Sequence, residues 1–313
     1  MKSADGHLRA RKRGNSVRSL FVLLLVVLLG AAGVIRATSP AAPTVQQVSA
    51  PRSDGHETPL RVYPAAGSIP GCVPLAIISH GAGGSEKGLS YLAESMSQLG
   101  YTAVVMGHRE SGMAALGADM RADGIRPGVQ ALVADPKAEE ARLLDVGAAL
   151  AWADGQCKAR FRVLMGHSMG AVTVMLEAGA KNIIGVSPSA AGLDRFDAYV
   201  ALSPEGPGII FSEHAWRGIN KPLLVLTGTR DQSLKGGPEA RQIPWHDLPG
   251  TESKCQWMGV IDGATHMNFA GNGIGADHVK PLVTQTVADF LRGVHASACS
   301  LPAAKDGMTL QAR

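Results

Sequence analysis

The sequence predicts an α/β fold, a parallel sheet with helices on both faces, from three observations. Short apolar runs such as Val73–Ser79 (VPLAIIS) and Pro222–Thr227 (PLLVLT) end in Gly-rich or polar turns, as strands buried on both faces do. Helical spacing alternates with these runs, most clearly over Lys137–Ala153, and repeated β–α units fold as a parallel sheet under helices. The 313 residues are 45% apolar, enough for one domain of roughly 250 residues and an N-terminal extension.

The first 36 residues read as an export segment. A basic stretch ends at Arg18, and an apolar run from Leu20 to Leu29 continues weakly to Ile35. Charge, a short apolar stretch and then small residues are the parts of a secretory signal. Those 16 apolar residues fall short of the ~20 that span a bilayer. Cleavage sites fall near Ala32, Ala37 or Ala42; because Arg36 interrupts the small-residue pattern, an uncleaved anchor is the alternative. No cysteine follows the run, which argues against a lipid anchor.

Seven of the 30 basic residues and one of the 26 acidic ones lie in residues 1–40, leaving 23 basic against 25 acidic. The net charge of +4 therefore belongs to the leader, and the remainder has no basic excess that would attract nucleic acid.

Residues 37–56, rich in Pro, Ser and Ala, read as a linker. The catalytic domain is expected over 57–300, with a tail at 301–313. Within it Leu60–Tyr63 is a short extended run, Leu89–Leu99 a helix closed by Gly100, and Tyr101–Met106 a buried strand. Then come a strand at Phe161–Met165, a helix at Ala171–Gly179, and strands at Tyr199–Leu202, Pro222–Thr227 and Gln256–Ile261, before a closing helix at Val279–Arg292. Two stretches, Glu110–Pro136 and Ser203–Lys221, show no regular pattern; loops of that length usually cover or line a site.

The chemistry centres on Gly166-His167-Ser168-Met169-Gly170, which directly follows a strand and directly precedes a helix. A nucleophile elbow needs that context, because a sharp turn between close-packed glycines lifts the serine oxygen above the sheet. The pentapeptide alone would be weak in a chain with 38 glycines. Serine is a poor nucleophile without a base, and the base needs an orienting acid. Asp231 follows the strand PLLVLT and His266 follows QWMGVI, so the order Ser, Asp, His and the strand-end placement agree. Asp262, Asp247, Asp194 and Asp197 are weaker acids for the role, and His246 and His278 lack a strand end. The N–H of Met169 is one oxyanion donor; the turn His80-Gly81-Ala82-Gly83-Gly84 supplies the second, with the N–H of Ala82 preferred and His80 read as structural. A phosphate-cradle reading of that turn fails, because the P-loop Lys-Ser/Thr is absent.

The segments SHGAGGSEKGLSYLAESMSQLGYTAVV, VLMGHSMGAVTVM, ALSPEG, KPLLVLTGTRD and VIDGATHMNFAG resemble the α/β-hydrolase superfamily over about residues 57–295. Within it they look like the branch of dienelactone hydrolases and platelet-activating-factor acetylhydrolases. The resemblance implies a mostly parallel eight-stranded sheet, a Ser168–Asp231–His266 triad and an ester substrate. Dienelactone hydrolases proper use Cys where this chain has Ser168, which puts a dienelactone substrate in doubt.

Cys72, Cys157, Cys255 and Cys299 are an even set that an oxidising compartment allows to pair; four buried thiols are the alternative. The superfamily's sheet order implies Cys72–Cys157 and Cys255–Cys299. The mechanism expected is acyl transfer to water on a small-molecule ester, with no organic cofactor and no zinc-type spacing. Peptide or amide hydrolysis on the same residues, or a silent binding protein of the same fold, are the alternatives. Met113, Leu116, Phe211 and Trp216 are the candidates for an apolar acyl pocket. Membrane contact is expected only through an uncleaved leader, localisation outside the cytoplasm is expected, and the oligomeric state is left open.

Overall fold

A computed structural model describes residues 44–67, 71–188, 192, 194–250 and 255–313. The export segment and the first part of the linker lie outside the described residues. No helix among the described residues is long and apolar enough to cross a membrane.

The described residues form one nine-stranded sheet in the order β1-β2-β4-β3-β5-β6-β7-β8-β9. β3 (Leu75–Ser79), β4 (Thr102–Met106), β5 (Arg162–His167), β6 (Ala198–Leu202), β7 (Leu223–Arg230) and β8 (Gln256–Thr265) are parallel to their neighbours in this set. β2 (Glu57–Tyr63) joins antiparallel to β4. Two edge strands correct the expected boundaries. β1 (Gln46–Pro51) lies in the stretch read as linker and pairs antiparallel with β2. A turn around Asp54 and Gly55, the latter at φ 87°, returns the chain to β2. β9 (Met308–Ala312), in the stretch read as tail, pairs antiparallel with β8. Both are short and bury little, so their alternation is too brief to stand out in the sequence.

The helices cover both faces. On one side pack α3 (Ile125–Ala134), α4 (Pro136–Gln156) and α5 (Met169–Ala178); on the other lie α1 (Ser90–Gln98) and α6 (Ala276–His295). Strand alternation feeds the two layers, with Ile77 in the first and Ile78 in the second. Helix α4 starts where Asp135 accepts the Lys137 N–H at 2.9 Å and Pro136 occupies the first turn. The span Glu110–Pro136 is mostly helical, a second correction: α2 (Met113–Asp123) and α3 meet at Gly124, φ 88°. Helix α2 buries no residue and carries no apolar stripe, so nothing in its pattern announced a helix. Both expected disulfides are present, with Cα separations of 5.4 Å for Cys72–Cys157 and 4.8 Å for Cys255–Cys299, as bridging requires.

Candidate active site

Strand β5 runs into Ser168, which takes φ 57° and ψ −120° before α5 begins at Met169. A non-glycine residue there carries backbone strain of about 1–3 kcal/mol, of the kind that packing sustains at functional turns. The flanking glycines are dictated by contact. A Cβ on Gly166 would fall 2.2 Å from the Gly170 carbonyl oxygen, and one on Gly170 would fall 2.1 Å from that of Ser79. The elbow is thus pressed against both its own helix and β3.

Strands β7 and β8 extend further than their apolar cores suggest. They pair as far as Arg230 opposite Thr265, past a bulge, so the next residues, Asp231 and His266, leave adjacent strands at one level. Thr265 and Asn268 form a capping box that fixes the backbone of the single helical turn His266–Phe269 at His266. His266 Nε2 lies 2.9 Å from Ser168 Oγ, and its Nδ1 lies 3.0 Å from Asp231 Oδ1. The three predicted residues therefore form a continuous chain. With Nδ1–H donating to the carboxylate, Nε2 is left to accept the serine proton. The rejected acids are engaged elsewhere: Asp247 with His214 and Arg217, Asp194 with Lys221, Asp197 with the Arg162 N–H, and Asp262 with Thr229.

Asp231 is fully buried. Burial by itself would raise its pKa; the hydrogen bond to His266, the Arg241 charge and the Ser203 hydroxyl outweigh that and hold it below the usual carboxylate range. Its Oδ2 accepts from Ser203 Oγ and, at 2.9 Å, from Thr227 Oγ1. Ser203 Oγ also sits 3.1 Å from His266 Nδ1. Arg241 brings Nε to 3.0 Å from Asp231 Oδ1 and donates to the carbonyls of Ser203, Pro204 and Gln232 and to Glu205. Ser203, Glu205 and Arg241 were not expected from sequence. Ser203 and Glu205 follow β6 and Arg241 sits in a short turn after β7, so their roles appear only when these turns fold together, and only the position of Ser203 at the end of β6 hints at it. His167, inside the elbow motif, is likewise buried; burial and the neighbouring His266 push its pKa well below the ordinary value. As a neutral ring it donates from Nε2 to the His266 carbonyl at 3.0 Å.

The turn after β3 lies beside the nucleophile, since a Cβ on Gly81 would be 3.1 Å from that of Ser168. The amides of Gly83 and Gly84 are used by Ser111 and Gly81 carbonyls. Those of Ala82 and of Met169, at the start of α5, take no backbone acceptor among the described residues. His80 is buried behind the turn, where its Nε2 accepts the His108 N–H at 3.1 Å.

A cleft of about 450 Å³ opens over Ser168 and His266, lined on its apolar sides by Met113, Leu116, Val129, Met267 and Ala270, with Asn272 at one edge. No acidic or basic side chain except histidine lines it. Met113 and Leu116 line this cleft. Phe211 and Trp216 do not: both are fully buried in the core, their rings 5.1 Å apart and tilted at 52° to each other, and they are corrected to packing residues. Val129, Met267, Ala270 and Asn272 take their place. A larger groove of about 650 Å³ along α4 contains no histidine and no part of this cluster. Among the described residues no group of three His, Cys, Asp or Glu is arranged to hold a metal ion.

Sheet order, elbow and strand-end cluster together define the α/β-hydrolase fold. No protein-family model matches the chain, and no curated protein matches it. Among solved structures it is similar to the esterase Est1E from Butyrivibrio proteoclasticus, at 18% identity and TM-score 0.54 over 80% of this chain and 99% of that one. An esterase from Pyrococcus furiosus matches at 17% identity and TM-score 0.52, covering 80% of this chain and 92% of its own. Esterase 2 from Thermogutta terrifontis matches at 15% identity and TM-score 0.53, covering 84% and 98%.

Proposed function

We propose that the protein is a serine hydrolase that cleaves carboxylic esters of uncharged, predominantly apolar acids or alcohols. The observation that carries this is the unbroken contact from Ser168 through His266 to Asp231 at 2.9 and 3.0 Å, with the serine on a strained turn. His266 takes the proton of Ser168 as its oxygen attacks the ester carbonyl, and Asp231 holds the imidazole and stabilises the imidazolium. The N–H groups of Ala82 and Met169 receive the oxyanion. The alcohol leaves with the proton from His266, and water activated by the same histidine releases the acid from Ser168. The neutral cleft supports an uncharged substrate, because a buried unpaired charge there would have no partner. The similar solved structures are called esterases, and one of them, Est1E, has been solved with ferulic acid bound. The two disulfides support action in an oxidising, extracytoplasmic compartment, in keeping with export by residues 1–36.

The test is hydrolysis of p-nitrophenyl esters from acetate to palmitate, wild type beside Ser168→Ala. Loss of at least ~10⁴-fold in kcat is expected for the variant, together with loss of fluorophosphonate labelling. Equal residual rates in the two proteins would remove Ser168 from the reaction. Faster cleavage of a matched amide than of the ester would favour the amidase alternative.

A further inference from the structure

Arg142 lies in the middle of α4 and is fully buried. Removing a guanidinium from water is costly, and an apolar residue of similar size commonly serves a core as well or better. The contacts of this one converge on the two backbone segments beside Ser168. Its Nη2 donates to the His80 carbonyl, one peptide ahead of the Gly81–Ala82 amide. Its Nη1 donates to Ser111 Oγ at 2.5 Å, and the Ser111 carbonyl in turn accepts the Gly83 N–H at 2.8 Å. The Ala82 peptide is thereby held from both flanks, in a turn whose glycines leave it otherwise free to rotate. On the other side Nε donates to Thr173 Oγ1 at 3.0 Å, and that hydroxyl reaches the Met169 carbonyl at 3.2 Å.

The guanidinium is itself anchored. It donates at 3.1 Å to Ser79 Oγ, which lies 2.9 Å from His108 Nε2, while His108 Nδ1 lies 2.8 Å from Asp145 Oδ2. Burial, and then the nearby Arg142 and Arg52 charges, keep His108 neutral. The chain therefore runs from Arg142 N–H through the Ser79 hydroxyl and the His108 ring to the carboxylate, each group donating to the next.

We propose that Arg142 is a positioning residue that sets the Ala82 and Met169 amides at the spacing and direction the oxyanion requires. This rests on the serine-hydrolase reading above. A misplacement of about 1 Å at such a site costs on the order of 10²-fold in rate. The effect falls on the transition state and spares substrate binding, because the oxyanion forms only after attack.

The experiment compares the full chain with Arg142→Gln, Arg142→Lys and Thr173→Val. Active sites are counted by fluorophosphonate labelling, so that only folded, reactive protein enters kcat. Affinity for a trifluoromethyl ketone, which forms an oxyanion on attack by serine, is measured beside KM for a p-nitrophenyl ester. Expected for the arginine variants are a ~10–100-fold fall in kcat per labelled site, KM within about two-fold, and a matching loss of ketone affinity. Thr173→Val, a milder change, should move kcat and ketone affinity together by a smaller factor, and it carries the test if the arginine variants do not fold. Unchanged kcat per site and ketone affinity would leave Arg142 a packing residue and overturn the inference alone. A wild-type protein that neither hydrolyses esters nor takes the label would overturn the hydrolase reading as well.

Discussion

At the residue scale the buried charges divide by whether they are paired. Asp231 has His266, Ser203, Thr227 and Arg241 around it. Glu139, fully buried one turn before Arg142 on α4, has no hydrogen-bond partner among the described residues on either carboxylate oxygen. Burial raises its pKa to about 8, against the opposing pull of Arg142. A carboxyl whose folded pKa lies above its unfolded value of about 4.3 destabilises the fold as pH rises between the two values. Glu139→Gln should therefore be more stable than wild type by about 1–3 kcal/mol near pH 8. That advantage should disappear towards pH 4, where the wild-type carboxyl is protonated in both states. Urea unfolding at the two pH values checks this, and a constant difference would show that Glu139 does not titrate in this range. Residues of this kind are hard to read from sequence. Ser168, Asp231 and His266 each follow an apolar strand and so carry a local signal. Arg142 and Ser203 acquire their meaning only when segments 28 to 63 residues apart meet, and Arg241 only when the chain after β7 folds back onto Asp231.

At the scale of elements, the strands and long helices were legible because they are apolar and periodic, and the cover was not. Helix α2 rests on the turn after β3 through Leu116, whose Cδ2 would lie 2.5 Å from a Cβ on Gly83. Helix α3 is tied down by Arg126 and Gln130, which donate to the Leu234 carbonyl at 2.7 and 2.9 Å, just past Asp231. The cover thus spans the site from the turn after β3 to the turn after β7. Aromatic residues in an irregular stretch looked like pocket lining, yet Phe211 and Trp216 bury their rings in the core, where large apolar surface is worth most. The cleft wall is built instead from smaller residues on the helical cover and after β8. Because Leu116 faces the cleft, Leu116→Phe should reduce kcat/KM for octanoate esters about ten-fold while leaving acetate nearly unchanged. An equal loss on both esters would place the effect on the turn instead of on pocket volume.

Across the whole molecule the two disulfides close separations of 85 and 44 residues. Loop-closure entropy of that size contributes about 4 kcal/mol per bridge. Cys72→Ser/Cys157→Ser should lower the free energy of unfolding by about 2–5 kcal/mol with little change in kcat, as urea titration beside an ester assay would show. A collapse of kcat at full folding would mean the bridge reaches the site. The pairing was legible only through the expected strand order, since four cysteines alone allow three connectivities.

Cys72 stands just before β3, Cys157 before β5 and Cys255 before β8, all at the amino ends of strands. Ser168, Asp231 and His266 leave the carboxyl ends. The covalent framework therefore grips the floor of the sheet and leaves its roof untethered by any bridge. Residues 113–134, which reach the cleft through Met113, Leu116 and Val129, therefore have only packing and hydrogen bonds, and no covalent staple of their own, to hold them over the sheet.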